Sequence, residues 1–234
     1  MVALDRPDLD SALAHVDRIG EAASWYKVGL ELYAAAGRPA IQAIADRGKR
    51  VFLDLKLHDI PATVGRAIRA LEGLPISLLT VHAAGGPAML RAAAEAAGAL
   101  RSRPRVLGVT MLTSLDGSEC PSLWNPKTDL EEKVLALAGA CEEAGLAGVI
   151  ASPLELIPLR LEHEPPFLIV TPGIRGPGDS AGDQKRTLSL AEAFQRGADF
   201  VVVGRPILEA PDPRAVLAAY EAALSQLSSE RTGS

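Results

Sequence analysis

The stretch Phe52–Pro61, FLDLKLHDIP, alternates apolar and ionisable side chains. Read as a strand, it places Asp54, Lys56 and His58 on one face and Leu53, Leu55 and Leu57 on the other. The carboxylate of Asp54 then shares a face with the ammonium of Lys56, and Asp59 follows at the strand's end. Such a set can fix a cation in space, stabilise negative charge that develops on a bound molecule, and pass a proton. The bland alternatives are a polar strand face in water, or an ion pair buried in a core. A buried ion pair is a weak stabiliser, because both charges must be stripped of water first. Chemistry is the better reason for the pattern.

A second set lies near the C-terminus. TPGIRGPGD (171–179) carries Arg175 among Gly173, Gly176 and Gly178, and Gly204-Arg205 follows an apolar run. Guanidinium groups pair with phosphate oxygens in bidentate fashion, and glycines allow the backbone to approach an anion. Taken alone, this loop could be a solvated turn. Other candidates are weaker. His15 and His163 are expected on the surface, while His58 and His82 fall at strand ends, where structural roles are as good as chemical ones. No His, Asp and Glu spacing matches a metal site. Ser114 has no evident relay partner, and Cys120 and Cys141 form neither a zinc pattern nor a disulfide framework.

Eight β-rich runs must position these groups: 2–5, 25–30, 50–57, 77–83, 105–112, 147–152, 167–174 and 198–205. Helical patterns separate them, near 8–20, 31–47, 61–72, 86–100, 129–145, 153–161 and 188–196, with a last one near 211–228. Strand and helix alternation at this spacing predicts parallel βαβ units, and eight units predict a single-domain (β/α)8 TIM barrel. A doubly wound sheet would need a glycine-rich turn after the first strand, where this chain has Asp5-Arg6-Pro7. The domain is expected over 1–228, with 229–234 as a flexible tail. In this architecture the active site lies at the C-terminal ends of the strands. Asp5, Lys27, Asp54, Lys56, Asp59, His82, Thr113, Arg175 and Arg205 all fall there. Loops after strands seven and eight often take phosphate in such barrels, which favours the anion reading of Arg175 and Arg205. The long loops 113–128 and 175–187 are candidates for function, the first either as a cover for the barrel mouth or as part of a dimer interface.

Composition narrows the partners. A formal charge of -5 argues against nonspecific nucleic-acid binding and against an anionic membrane surface. With 48% hydrophobic residues the chain can build a sizeable core, yet no run is long enough to span a bilayer. The N-terminus shows no secretory pattern, and a reduced cytoplasm is expected.

DLKLHDIPAT (54–63) closely resembles the signature of the orotidine 5′-phosphate decarboxylase family. VALD, YKVGLEL (26–32), TVHAAGG (80–86), VTMLTS (109–114), TPGIR (171–175), GDQKR (182–186) and VVVGRPI (201–207) follow in the family's order, over essentially the whole chain. One departure is Ala62, where the family often has Asn; the charged groups are unaffected.

The resemblance implies conversion of orotidine monophosphate to uridine monophosphate, the last step of pyrimidine nucleotide synthesis, with neither metal nor organic cofactor. It implies that Asp54, Lys56 and Asp59 form the catalytic array together with Lys27, and that Asp5 and Lys27 hold the ribose hydroxyls. Thr113 would meet the pyrimidine edge, with Pro172 also at the substrate. Arg175, Gln184, Gly204 and Arg205 would hold the phosphate. It further implies a homodimer, with Asp59 and Thr63 reaching the neighbouring subunit's site. Two rival readings differ in kind. One is a Mg²⁺-dependent sugar-phosphate decarboxylase or aldolase of the same barrel group, which would want an acidic metal ligand where Lys27 stands. The other is a non-catalytic nucleotide-binding protein, which would have no use for Asp54, Lys56 and Asp59 together.

Overall fold

The structure is a computed structural model that describes residues 1–115, 129–175 and 188–232. Eight parallel strands form one sheet. They are β1 (Val2–Ala3), β2 (Trp25–Val28), β3 (Arg50–Leu57), β4 (Ile76–His82), β5 (Arg105–Val109), β6 (Gly148–Ile150), β7 (Leu168–Thr171) and β10 (Phe200–Val201), paired in that order. The sheet closes on itself. Val2 bridges Val203 in parallel, Ala3 N–H donates to the Val203 carbonyl at 2.8 Å, and Val203 N–H donates to the Met1 carbonyl at 3.0 Å. The predicted TIM barrel is therefore what the chain forms, and among the described residues its eight-stranded sheet has no open edge.

Period-two patterning sorts each strand into two cores. Ala3, Phe52, Leu78, Leu107, Ile150, Val170 and Val202 fill the barrel interior. Val2, Tyr26, Val51, Leu53, Leu79, Val149 and Ile169 face the surrounding helices. Those helices are α1 (Leu9–Ile19), α2 (Leu30–Ala36), α3 (Arg38–Ala45), α4 (Pro61–Arg69), α5 (Gly86–Ala99), α6 (Leu130–Glu143), α7 (Leu156–Glu162), α8 (Leu190–Gln195), α9 (Arg205–Leu208) and α10 (Pro213–Thr232). Their apolar stripes, such as Val16 and Ile19 of α1 and Val64 and Ile68 of α4, complete the outer core. Among the described residues, no helix is long and apolar enough to cross a membrane.

Three differences from the expected elements have local causes. The single helix expected over 31–47 is two helices, because Gly37 adopts φ +59 and Pro39 opens the next helix. The seventh strand stops at Thr171. After Pro172, Gly173 at φ +81 turns the chain out of the barrel, and Ile174–Arg175 (β8) pairs in parallel with Leu188–Ser189 (β9) as a separate small sheet. The last helix continues to Thr232, into the stretch expected as a tail. A fourth difference is a correction: His163 is not on the surface. It is buried, with Nδ1 2.7 Å from Glu142 Oε2 and its ring 5.0 Å from that of Phe167.

Candidate active site

A cavity of about 800 Å³ opens at the C-terminal ends of the strands. Phe52, Ile150 and Val202 form its apolar floor, and Asp5, Lys27, Asp54, Lys56, Thr113, Pro172, Gly204 and Arg205 line its walls. Eight of the positions expected from the sequence thus meet at one place.

The charged groups form a chain across adjacent strands. Lys27 Nζ lies 3.0 Å from Asp5 Oδ1 and 3.8 Å from Asp54 Oδ2, and Asp54 Oδ2 lies 2.8 Å from Lys56 Nζ. Lys27 and Asp54 are deep, with side chains 13% and 11% exposed, whereas Lys56 reaches 31% and Asp5 57%. The two deep members, Lys27 and Asp54, each have two partners of opposite charge, which offsets the cost of taking them out of water. The parallel register sets the chain, since Lys27 pairs with Phe52 and Asp54 follows Phe52 by one inward step.

Lys56 is aimed by a break in that register. Leu53 pairs with Leu79 and Leu57 with Val81, so Asp54, Leu55 and Lys56 together oppose the single residue Thr80. Lys56 sits at φ +49, a left-handed conformation that costs a non-glycine residue about 1–2 kcal/mol and needs support. Thr80, fully buried, gives it. Its Oγ1 accepts from Lys56 N–H at 2.8 Å and donates to Asp54 Oδ1 at 2.9 Å. The sequence reading assigned Thr80 no role.

Gly29 makes room for the chain. Its backbone, φ -90, suits any residue, but a Cβ there would stand 2.9 Å from Lys27 Nζ and 3.4 Å from Asp5 Oδ1. Above Lys56, the rings of His58 and His82 stack at 5.0 Å. Burial first, then the His58 ring and the Lys56 ammonium, hold His82 below the usual imidazole value.

Asp59 stands apart. It is exposed, its Oδ1 accepts from Ile60 N–H at 2.6 Å, and among the described residues it pairs with no cation. Thr63 does not line the cavity either; its Oγ1 accepts from the Arg66 guanidinium at 3.2 Å. Within one chain, then, two acids and two lysines meet, Asp5, Asp54, Lys27 and Lys56.

On the far side of the cavity, Gly204 precedes α9, and Arg205 opens that helix toward the cavity. A Cβ at Gly204 would lie 3.5 Å from both Ala3 Cβ and Asp5 Oδ2, in ordinary contact with the end of β1. Arg6 lines the same wall and went unnoticed in the sequence, since the residue after a strand-end Asp has no fixed direction. Its Nε is buried without a hydrogen-bond partner among the described residues. Arg175 lies in β8. Gln184, Gly176, Gly178 and most of the loop over 113–128 lie outside the described residues. Among the described residues, no three His, Cys, Asp or Glu side chains converge as a metal site.

The comparisons with known proteins agree in direction. The sequence profile of the "Orotidine 5'-phosphate decarboxylase / HUMPS family" matches residues 1–220. The chain is 47% identical over 232 residues to the orotidine 5′-phosphate decarboxylase of Moorella thermoacetica, covering 97% of this chain and 92% of that one. It is 44% identical over 225 residues to the enzyme of the same name from Rhodopseudomonas palustris, with 96% and 93% covered. The crystal structure of orotidine 5′-phosphate decarboxylase from Lactobacillus acidophilus superposes with a TM-score of 0.83 at 36% identity, over 95% of this chain and 96% of that one. With the barrel, the charged chain and these likenesses together, the chain belongs to the orotidine 5′-phosphate decarboxylase / HUMPS family.

Proposed function

We propose that this protein decarboxylates orotidine 5′-phosphate to uridine 5′-phosphate and CO₂, in the synthesis of pyrimidine nucleotides, with Lys56 as the proton donor. The observation that carries the reading is the Asp5–Lys27–Asp54–Lys56 chain along the cavity wall. Loss of CO₂ breaks the bond between C6 and the carboxylate carbon and leaves the electron pair on C6. The ring delocalises that pair poorly, so charge must be met electrostatically. The Lys56 ammonium, fixed by Asp54, supplies the positive charge and then gives a proton to C6. It regains its own from solvent. Asp54 lies beside the substrate carboxylate and repels it; departure of CO₂ relieves that contact.

Arg205, Arg175, Gln184 and Gly204 hold the phosphate, Thr113 and Pro172 flank the base, and Asp5 and Lys27 hold the ribose. The phosphate is remote from C6, so its binding energy positions the ring rather than touching the reacting atoms. The working unit is a homodimer, in which Asp59 and Thr63 complete the neighbouring subunit's site. The exposure of Asp59, and that of Ile60 at 65% beside it, supports this arrangement. The reaction runs in the cytoplasm with no metal or organic cofactor. Lys27 favours this over the Mg²⁺-dependent relatives, because an ammonium 3.8 Å from Asp54 repels a divalent cation.

The test is loss of the substrate's ultraviolet absorbance on mixing purified protein with orotidine 5′-phosphate in excess chelator. Turnover is expected to persist in chelator and to fall about ten-thousand-fold in Lys56→Ala, the combined loss of a general acid and a charge stabiliser. Turnover that vanishes with chelator overturns the metal-free reading. Equal turnover by Lys56→Ala overturns the assignment of the proton donor.

A further inference from the structure

We infer that Thr80 is a positioning residue of the active site, whose hydroxyl sets the direction of the Lys56 ammonium. The inference rests on the proposed role of Lys56 for its kinetic consequence, though not for its geometric one.

Thr80 points into the barrel from β4, on the face that also carries Leu78. Apart from Asp54 its neighbours there are apolar, and Leu107 and Val109 on β5 point into the same interior without a hydroxyl. Packing alone would be served as well by valine. The hydroxyl instead makes two bonds whose directions are forced. Lys56 N–H can only donate, so Oγ1 accepts it at 2.8 Å, and its one proton goes to Asp54 Oδ1 at 2.9 Å. One buried oxygen thus ties the backbone of Lys56 to the carboxylate that holds the same residue's ammonium at 2.8 Å. The loop so formed brackets the register break, where Lys56 stands at φ +49. Without the hydroxyl, Lys56 N–H loses its acceptor and Asp54 Oδ1 its donor. The left-handed conformation then has nothing to offset its strain, and Lys56 turns toward an ordinary strand conformation that carries Nζ away from Asp54.

The test compares Thr80→Val, which keeps the shape and removes both bonds, with Thr80→Ser, which keeps the hydroxyl. Thr80→Val is expected to lower kcat about 10- to 100-fold, the cost of misaiming a reacting group by an ångström or less. Binding of uridine 5′-phosphate should change by less than about threefold, because the phosphate and ribose contacts lie elsewhere. Thr80→Ser should restore kcat. A merely structural role would lower Tm and leave kcat of the folded protein unchanged; folded Thr80→Val with wild-type kcat overturns the inference. If Thr80→Val does not fold, Thr80→Cys, close in size and a weak donor, is held to the same criterion. A crystal structure of the variant reads the geometry whatever the reaction. Lys56 at negative φ, with Nζ out of reach of Asp54, supports the inference, and an unchanged Lys56–Asp54 pair overturns it. Wild-type protein inactive on orotidine 5′-phosphate would refute the proposed function and leave this geometric test standing.

Discussion

On the β1–β4 side of the barrel mouth, Asp5, Lys27, Asp54, Lys56 and Thr80 are joined by contacts of 2.8 to 3.8 Å. On the β7–β10 side, the strands are two to four residues long, the chain leaves the barrel after Thr171, and Arg6 carries a buried Nε with no partner among the described residues. The first side holds its charges in place without a ligand, by pairing them with one another. The second presents guanidinium groups and close backbone. The division follows from what each side is proposed to do. Groups that meet developing charge gain most when nothing has to reorganise during the reaction. Groups that grip a phosphate need only be complementary once it arrives.

That contrast predicts different kinetic signatures for the two sides. Arg205→Ala is expected to lower kcat/KM about 10- to 100-fold, the worth of one or two charge-assisted hydrogen bonds, and to weaken uridine 5′-phosphate binding in proportion. Lys56→Ala loses turnover while holding that nucleotide nearly as well as the parent. If Arg205→Ala left both kcat/KM and nucleotide affinity unchanged, the assignment of the phosphate to the β7–β10 side would be wrong.

A smaller effect probes the preassembled side alone. Gly29 stands at the N-cap of α2, where serine is normally a better cap than glycine. Gly29→Ser should leave Tm equal or slightly higher. Yet its Cβ would press on Lys27 Nζ from 2.9 Å, so kcat/KM should fall about tenfold as the Lys27–Asp54 contact opens. Calorimetry beside steady-state kinetics reads both at once. Full activity in Gly29→Ser would mean that Lys27 has slack its ion pairs do not suggest.

Much of this was legible in the sequence, and the exceptions share a cause. The eight strands follow from short β-rich runs at regular spacing, and the inward direction of Phe52 and Asp54 follows from a period of two. That period fails at Lys56, where the register slips against β4. A slip belongs to two strands at once, so β3 read alone cannot reveal it. The available signal was on β4, where Leu78, Thr80 and His82 alternate on the inward face and bring a hydroxyl level with Asp54. Asp59 lies two residues beyond the end of β3, exposed and accepting from Ile60 N–H, so the pairing within one chain does not reach it. His163 looked exposed between Glu162 and Glu164, and only tertiary packing brings Glu142 and Phe167 against it. The break at Gly37 was readable from Gly-Arg-Pro, a turn followed by a helix start.

The smallest expected effect concerns pH, and it again distinguishes the two sides. His82 continues the inward face of β4 above Thr80, stacks on His58 and feels the Lys56 ammonium. These surroundings, burial above all, lower its pKa in the folded protein. In the unfolded chain it takes a proton near pH 6.5. Above that value both states hold His82 neutral, and its contribution to stability is complete. As pH falls, the unfolded chain binds the proton first, so stability declines until the folded His82 also titrates. Part of the acid sensitivity of the fold therefore resides on the β1–β4 side, beside the groups that carry the reaction. His82→Gln keeps a polar group but cannot titrate, so its urea midpoint should vary less with pH than that of the parent between about pH 7 and 5. Parallel pH profiles for the two proteins would show that acid weakens the barrel elsewhere. The preassembled side would then owe its pH tolerance to the ion-paired chain beneath the imidazoles.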